Sequence, residues 1–390
     1  MITHHAHRLL TRNLIFAFLT IFLLAIYANE NSSAQTKIIN ASIPDKVTLK
    51  ETFKGKFLIG AAINQMQFSG QDERSADLVR VQFNSITPEN ILKWESVHPQ
   101  ADKYNFDGPD KYVAFGEMNQ MTIIGHTLVW HNQTPKWVFK NNQLSDSSVD
   151  RATLLKRMRD HIFAVVGRYK GRIKGWDVVN EALNEDGTMR ETHWLKIIGE
   201  DYIVKAFQFA HEADPSAELY YNDFSLENAP KRGGAVALVK KLQSQGVQIA
   251  AVGLQGHYKM DWPTMAQVDS TIEAFAKLGV KVNITELDID VVPATQRNRG
   301  ADLAVNAYHE VKEDAYAAGL PDSVQQVLAK RYADLFRVFL KHANVIDRVT
   351  FWGVTDGDSW LNWPGRVNYP LLFDRKWQPK PAFDAVVKVQ

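Results

Sequence analysis

Along most of the chain, short runs of β-branched and apolar side chains alternate with longer stretches whose apolar residues recur at helical spacing. That alternation is the mark of repeated β/α units around a parallel sheet. The runs predict eight strands: Leu58 to Ile63, Ser85 to Pro88, Thr122 to Trp130, Gly175 to Glu181, Glu218 to Asn222, Ala251 to Gln255, Lys281 to Glu286, and Arg348 to Val354. Between them, Ser148 to Lys170 carries Leu154, Met158, Ile162, Val165 and Val166 on one helical face, and Gly171 can close it. Asp322 to His342 reads the same way through Val324, Val327, Leu328, Leu335, Phe336 and Phe339, with Pro321 at its start. Eight such units predict an α/β fold of the (β/α)8 TIM barrel type. A doubly wound sheet would call for a glycine-rich phosphate turn after its first strand, and Ala62 to Ser69 has neither GxGxxG nor GxxxxGK spacing. No nucleotide cofactor is expected.

Residues 1–34 stand apart from this pattern. Arg8 and Arg12 lead into an uncharged run from Leu14 to Ala28, followed by small residues ending Ser32, Ser33, Ala34. This predicts a signal peptide cleaved after Ala34, because the apolar run is shorter than the ~20 residues that span a bilayer. The expected product is residues 35–390 as one barrel domain, secreted or periplasmic, without a permanent membrane anchor and monomeric. No linker or repeat interrupts it. Removal of the segment takes Arg8, Arg12 and Glu30 and leaves a formally neutral chain. With acidic and basic residues nearly equal at 44 and 45, there is no basic field for nucleic acid, which favours a small molecule or neutral polymer as partner. The absence of cysteine excludes disulfides, thiol nucleophiles and zinc-cysteine sites.

A barrel collects the carboxyl ends of its strands at one rim, so polar residues there are the first candidates for chemistry. In order they are Glu89, Asn90 and Lys93; His126, Trp130 and His131; Asn180 and Glu181; Tyr221, Asn222 and Asp223; Gln255 and His257; Glu286 and Asp288; then Trp352, Asp356, Asp358 and Trp360. Glu181 and Glu286 are carboxylates that finish strongly apolar runs on the fourth and seventh predicted strands, so they face one another across the mouth. Facing carboxylates suit glycoside hydrolysis, one protonating the leaving oxygen while the other attacks the anomeric carbon or activates water. A separation of about 5–5.5 Å would mean retention of configuration, and about 6.5–9.5 Å inversion. A lone Glu at a strand end is more simply a solvated charge or a helix cap. Two of them among Asn, His, Gln and Trp favour an active site.

Six segments in order carry a resemblance: TPENILKW (Thr87–Trp94), GHTLVWH (Gly125–His131), WDVVNEAL (Trp176–Leu183), GLQGHY (Gly253–Tyr258), ITELDI (Ile284–Ile289) and FWGVTDGDSW (Phe351–Trp360). Together they resemble the signature segments of family 10 glycoside hydrolases, the endo-β-1,4-xylanases, over nearly the whole chain after the export segment. The resemblance implies xylan and xylooligosaccharides as substrates, a retaining mechanism, Glu181 as acid/base and Glu286 as nucleophile. It implies that His257 hydrogen-bonds the nucleophile and that Asn180 contacts the hydroxyl beside the anomeric carbon. Glu89, Asn90, Lys93, His126, Trp130 and Gln255 match positions that bind sugars on the non-reducing side of the cut. Tyr221 matches an aromatic platform on the leaving-group side, and Trp352 and Trp360 are expected to stack on sugar and shape the mouth.

Two rivals remain at this level: a β-1,4-glucanase on the same machinery, and a non-catalytic polysaccharide-binding barrel, against which the paired carboxylates argue. His126 and His131 also raise a metal site. Their odd spacing would send them to opposite faces of a regular strand, so none is expected. The stretch Val291 to Leu320 is longer than a usual connection and carries Arg297 and Arg299; it is placed near Glu286 without a role.

Overall fold

The computed structural model describes residues 47–141, 147–292 and 315–390. The predicted export segment lies outside them, as do 293–314 of the long connection. Among the described residues nine strands form one parallel system: β1 (Leu58–Ile63), β2 (Ser85–Pro88), β3 (Thr122–Val129), β4 (Gly175–Asn180), β5 (Glu218–Asp223), β6 (Ala251–Leu254), β7 (His257–Lys259), β8 (Lys281–Asp290) and β9 (Ile346–Phe351). Their order is β6-β5-β4-β3-β2-β1-β9-β8, and β6 pairs β8 to close the ring. The eight strands of this ring with helices between them make the expected TIM barrel. The ninth, β7, pairs with the outer end of β8, His257 opposite Asp288 and Lys259 opposite Asp290. With that partner available, β8 continues past Glu286, where the apolar run had suggested it would stop.

The helices follow the predicted periodicity. Arg151–Arg168 begins where the Asp150 carboxylate accepts the Thr153 N–H at 2.7 Å, and Gly171, at φ +72°, follows its end. Asp322–Lys341 starts directly after Pro321 and buries Leu328, Leu335, Phe336 and Phe339. Val327, expected on that face, points to solvent. Among the described residues no helix is long and apolar enough to cross a membrane.

Residues Thr48–Gln390 form one compact unit whose main apolar core lies between the strands and the surrounding helices. Inside the ring the apolar cluster is small: Ile124, Tyr220 and Ala251. The strand alternation is also interrupted near the rim. Register shifts give β3 an extra residue over β4 between His126 and Val129, β4 one over β5 between Asp177 and Val179, and β8 one over β9 between Ile284 and Leu287. Such bulges re-aim side chains next to functional sites. Here they bring Thr285 and its neighbour Glu286 to the same partner, Asn222, which a regular strand would not allow.

One glycine shows how tightly the outer layer is filled. A Cβ on Gly125 would lie 2.1 Å from the ring of Trp176, which is fully buried on the adjacent strand. Gly125→Ala is therefore expected to destabilise the protein by about 1–3 kcal/mol through overpacking, read as a lower urea midpoint. An unchanged midpoint would mean that Trp176 can move aside.

Candidate active site

At the end of β4 the chain leaves the sheet through Glu181, whose backbone is left-handed at φ +57°. That conformation disfavours any residue with a Cβ and persists only where the surroundings hold it. Its N–H still completes the ladder, donating to the Asn222 carbonyl at 2.9 Å. The side chain turns into the cleft, where Oε1 accepts from Gln255 Nε2 at 3.0 Å and Oε2 from Trp130 Nε1 at 2.8 Å. Burial pushes the Glu181 carboxyl above the usual range, Asp223 and Glu286 push the same way, and these two neutral donors only partly oppose them.

Glu286 is more enclosed than Glu181, at 5% exposure, yet shifts in the opposite direction. Burial alone would raise it. Against that, its Oε2 accepts from His257 Nε2 at 3.1 Å, its Oε1 accepts from Asn222 Nδ2 at 2.7 Å, and the His126 imidazole lies close by, which together hold it below the usual carboxylate range. His257 is desolvated, which would lower it, but it sits between two carboxylates, its Nδ1 3.0 Å from Asp288 Oδ1, and is pushed up to about 10. It is a cation at neutral pH. Asp288 is in turn held by Trp360, whose indole N–H donates to Oδ2 at 2.7 Å.

The two carboxylates are joined by amides. Gln255 Nε2 donates to Glu181 and, at 3.3 Å, to Asn180 Oδ1; that oxygen also accepts from Asn222 Nδ2 at 3.0 Å, whose second hydrogen goes to Glu286. Thr285 Oγ1 donates to Asn222 Oδ1 at 2.7 Å and fixes the orientation of that amide.

Around this line the cleft is lined by Glu89, Asn90, Lys93, His126, Trp130, Gln133, Trp352 and Trp360 with Asn180, Glu181, Gln255, His257 and Glu286. The Lys93 ammonium donates to Asn90 at 3.1 Å and lies 5.0 Å from the Trp130 ring and 5.9 Å from that of Trp352. Burial lowers Lys93, with Glu286, Glu89 and Glu181 acting against it; burial raises Glu89, against Lys93. His126 Nδ1 contacts Asp177 at 2.9 Å, which fixes the ring against the edge of Trp352.

Twelve of the thirteen sequence-predicted site residues thus meet in one cleft. Tyr221 does not, and its expected role as a sugar platform is corrected: the ring is fully buried. Asn222 points into the barrel toward Glu286, so alternation along β5 sends Tyr221 out toward the helices. Sequence reasoning gave no role to Asn222 or Thr285 and missed Gln133; Asn222 had a signal, being the polar residue that ends a predicted strand. His131 lies beyond the end of β3, so regular alternation does not govern its direction. Among the described residues the group with metal-ligand spacing is Asp269, Glu273 and His342, outside this cleft, and the Lys341 ammonium already donates to Asp269 at 2.6 Å.

A raised carboxyl facing a depressed one at the mouth of a barrel is the equipment of a glycoside hydrolase. The chain belongs to glycosyl hydrolase family 10, whose family model matches residues 48–389. It is 42% identical to endo-1,4-beta-xylanase A of Xylanibacter ruminicola over 90% of this chain and 95% of that one. It is 41% identical to a beta-1,4-xylanase of Dictyoglomus thermophilum over 87% and 90%. Among solved structures, a GH10 endoxylanase retrieved from sugarcane soil metagenome superposes with a TM-score of 0.81 at 43% identity, covering 88% of this chain and 99% of that one.

The His257 cation has a thermodynamic signature. A histidine raised from 6.5 to about 10 by folding contributes stability that is fully present below pH 6.5 and is lost as pH climbs toward 10. The stability gap between wild type and His257→Gln, measured by urea unfolding, should therefore narrow over that window. A gap constant from pH 6 to 10 would mean that His257 is neutral in the fold.

Proposed function

We propose that the protein is an endo-1,4-β-xylanase that hydrolyses internal xylosidic bonds with retention, Glu181 acting as acid/base and Glu286 as nucleophile. The observation that carries this reading is the pair of glutamates in one cleft, Glu181 held by the neutral donors Gln255 and Trp130 and Glu286 by His257 and Asn222. In the first step Glu286 attacks the anomeric carbon while Glu181 gives its proton to the departing glycosidic oxygen. The ester so formed has no charge on Glu286, so the repulsion that helps keep Glu181 protonated is gone and its pKa falls. Glu181 then takes a proton from water as that water attacks the same carbon and releases Glu286. Asn180, with Oδ1 already accepting two bonds, would meet the neighbouring sugar hydroxyl. Glu89, Asn90, Lys93, His126 and Gln133 supply the mixture of donors and acceptors that hydroxyls require. The xylanase names of the relatives support xylan as the polymer. We further propose export, with a mature N-terminus at Gln35, which N-terminal sequencing of secreted protein would read directly; a start at Met1 would refute it.

Reducing-end release from soluble xylan should be lost in Glu286→Ala prepared identically, and should exceed release from mixed-linkage glucan. Preference for glucan would make the protein a glucanase, and no release by folded wild type would favour a binding barrel. In Glu181→Ala, xylan hydrolysis should fall about 10²–10⁴-fold. An aryl xyloside with a good leaving group should keep its acid limb, set by ionisation of Glu286, and lose the basic limb. Retention of the basic limb would remove Glu181 from the acid/base role.

A further inference from the structure

Behind Glu181, on the side away from the cleft, lies a second polar network that the reaction as described does not use. The N–H of Ala182, the residue after the left-handed Glu181, donates to the phenolic oxygen of Tyr221 at 3.2 Å. That hydroxyl donates to Asp223 Oδ2, and Asp223 Oδ1 accepts from the Phe224 N–H at 2.9 Å and meets the Lys231 ammonium at 3.0 Å. Tyr221, Asp223 and Lys231 are all fully buried. A buried ion pair is weak evidence for stability by itself, since desolvation consumes most of its attraction, so its position calls for another account.

We propose that Tyr221 and Asp223, with Lys231 as counter-ion, are positioning residues that hold the peptide after Glu181 and thereby keep the acid/base carboxyl aimed at the leaving-group oxygen. The inference rests on the acid/base reading of Glu181 and extends it. The strained φ at Glu181 must be held on both sides. Its own N–H is tied to β5 through the Asn222 carbonyl, and the next N–H is held by Tyr221. Three donors converge on Asp223, which suits an ionised carboxylate: burial pushes it up, and Lys231 and Tyr221 act against that. Its charge also bears on Glu181, adding to the preference for the protonated form. The charged and titratable groups around this pair are Glu286 and Lys93 on the cleft side, and Lys231, Glu185, Arg190 and Tyr202 behind.

Tyr221→Phe removes the acceptor and little volume. Its kcat/KM, which reports the first step alone, should fall about tenfold, the size of one net hydrogen bond, on an aryl xyloside with a poor leaving group, and stay within about twofold on one with a good leaving group, whose departure needs no proton. Asp223→Asn combined with Lys231→Met, which leaves no charge unpaired, should move the basic limb of the pH profile to lower pH. This pair serves as the test if Tyr221→Phe does not fold, as judged by near-UV circular dichroism. Equal losses on both substrates, or an unmoved basic limb, would reduce the network to a structural role and overturn the proposal. Glu181→Ala run alongside separates the two readings: if it too shows no leaving-group dependence, it is the acid/base assignment that fails.

Discussion

Glu181 and Glu286 share one cleft and shift in opposite directions, although burial pushes both the same way. The difference comes from the charge of their donors. Glu181 receives bonds from an amide and an indole, both neutral, while Glu286 receives one from an imidazolium fixed between it and Asp288. A charge-assisted bond is roughly twice as strong as a neutral one and favours only the ionised acceptor. That one histidine, held by one further carboxylate and aided by Asn222 and His126, lowers Glu286 where Glu181 has only neutral donors. That arrangement depends on β7, because His257 is the first residue of the short strand that pairs beside Asp288.

The amides between the glutamates perform a complementary task. An –NH2 group offers two hydrogens in a plane, so Gln255 and Asn222 can each serve a carboxylate and Asn180 at once. Movement of either glutamate would break bonds at both ends of the line. The backbone makes room for it: a Cβ on Gly253 would lie 2.2 Å from Asn222 Oδ1, and the bulge in β8 turns Thr285 and Glu286 to the same neighbour. Site and barrel irregularity are thus one feature seen at two scales.

This also explains which parts of the molecule were legible in the sequence. Periodicity exposed the barrel because each strand is apolar on its outer face and each helix on its inner one. The rule that strand ends carry chemistry found Glu181, Glu286, His257 and their neighbours, and the resemblance then assigned their roles. What escaped was direction. Tyr221 reads as a rim aromatic until the inward turn of Asn222 is known. Thr285 looks like an alternate-face residue until the bulge brings it beside Glu286. The extension of β8 to Asp290 depends on pairing with His257–Lys259, a contact between segments far apart in sequence. Alternation is a local signal, and bulges and pairings that override it are tertiary.

The division of labour between the two sides of the sheet follows from the same facts. Inside the ring, Asp177, Asn180, Asn222, Thr285 and His126 occupy positions that apolar side chains would otherwise fill, leaving a small apolar cluster of Ile124, Tyr220 and Ala251. Most of these buried polar groups replace bonds to water with bonds of similar strength, so the interior adds little net stability. Stabilisation must come from the continuous apolar layer between strands and helices, where Trp176, Ile284, Leu335 and Phe336 are fully enclosed. Because that layer carries the folding free energy, the interior is free to hold a strained glutamate, a buried cation and a line of amides whose arrangement is set by chemistry.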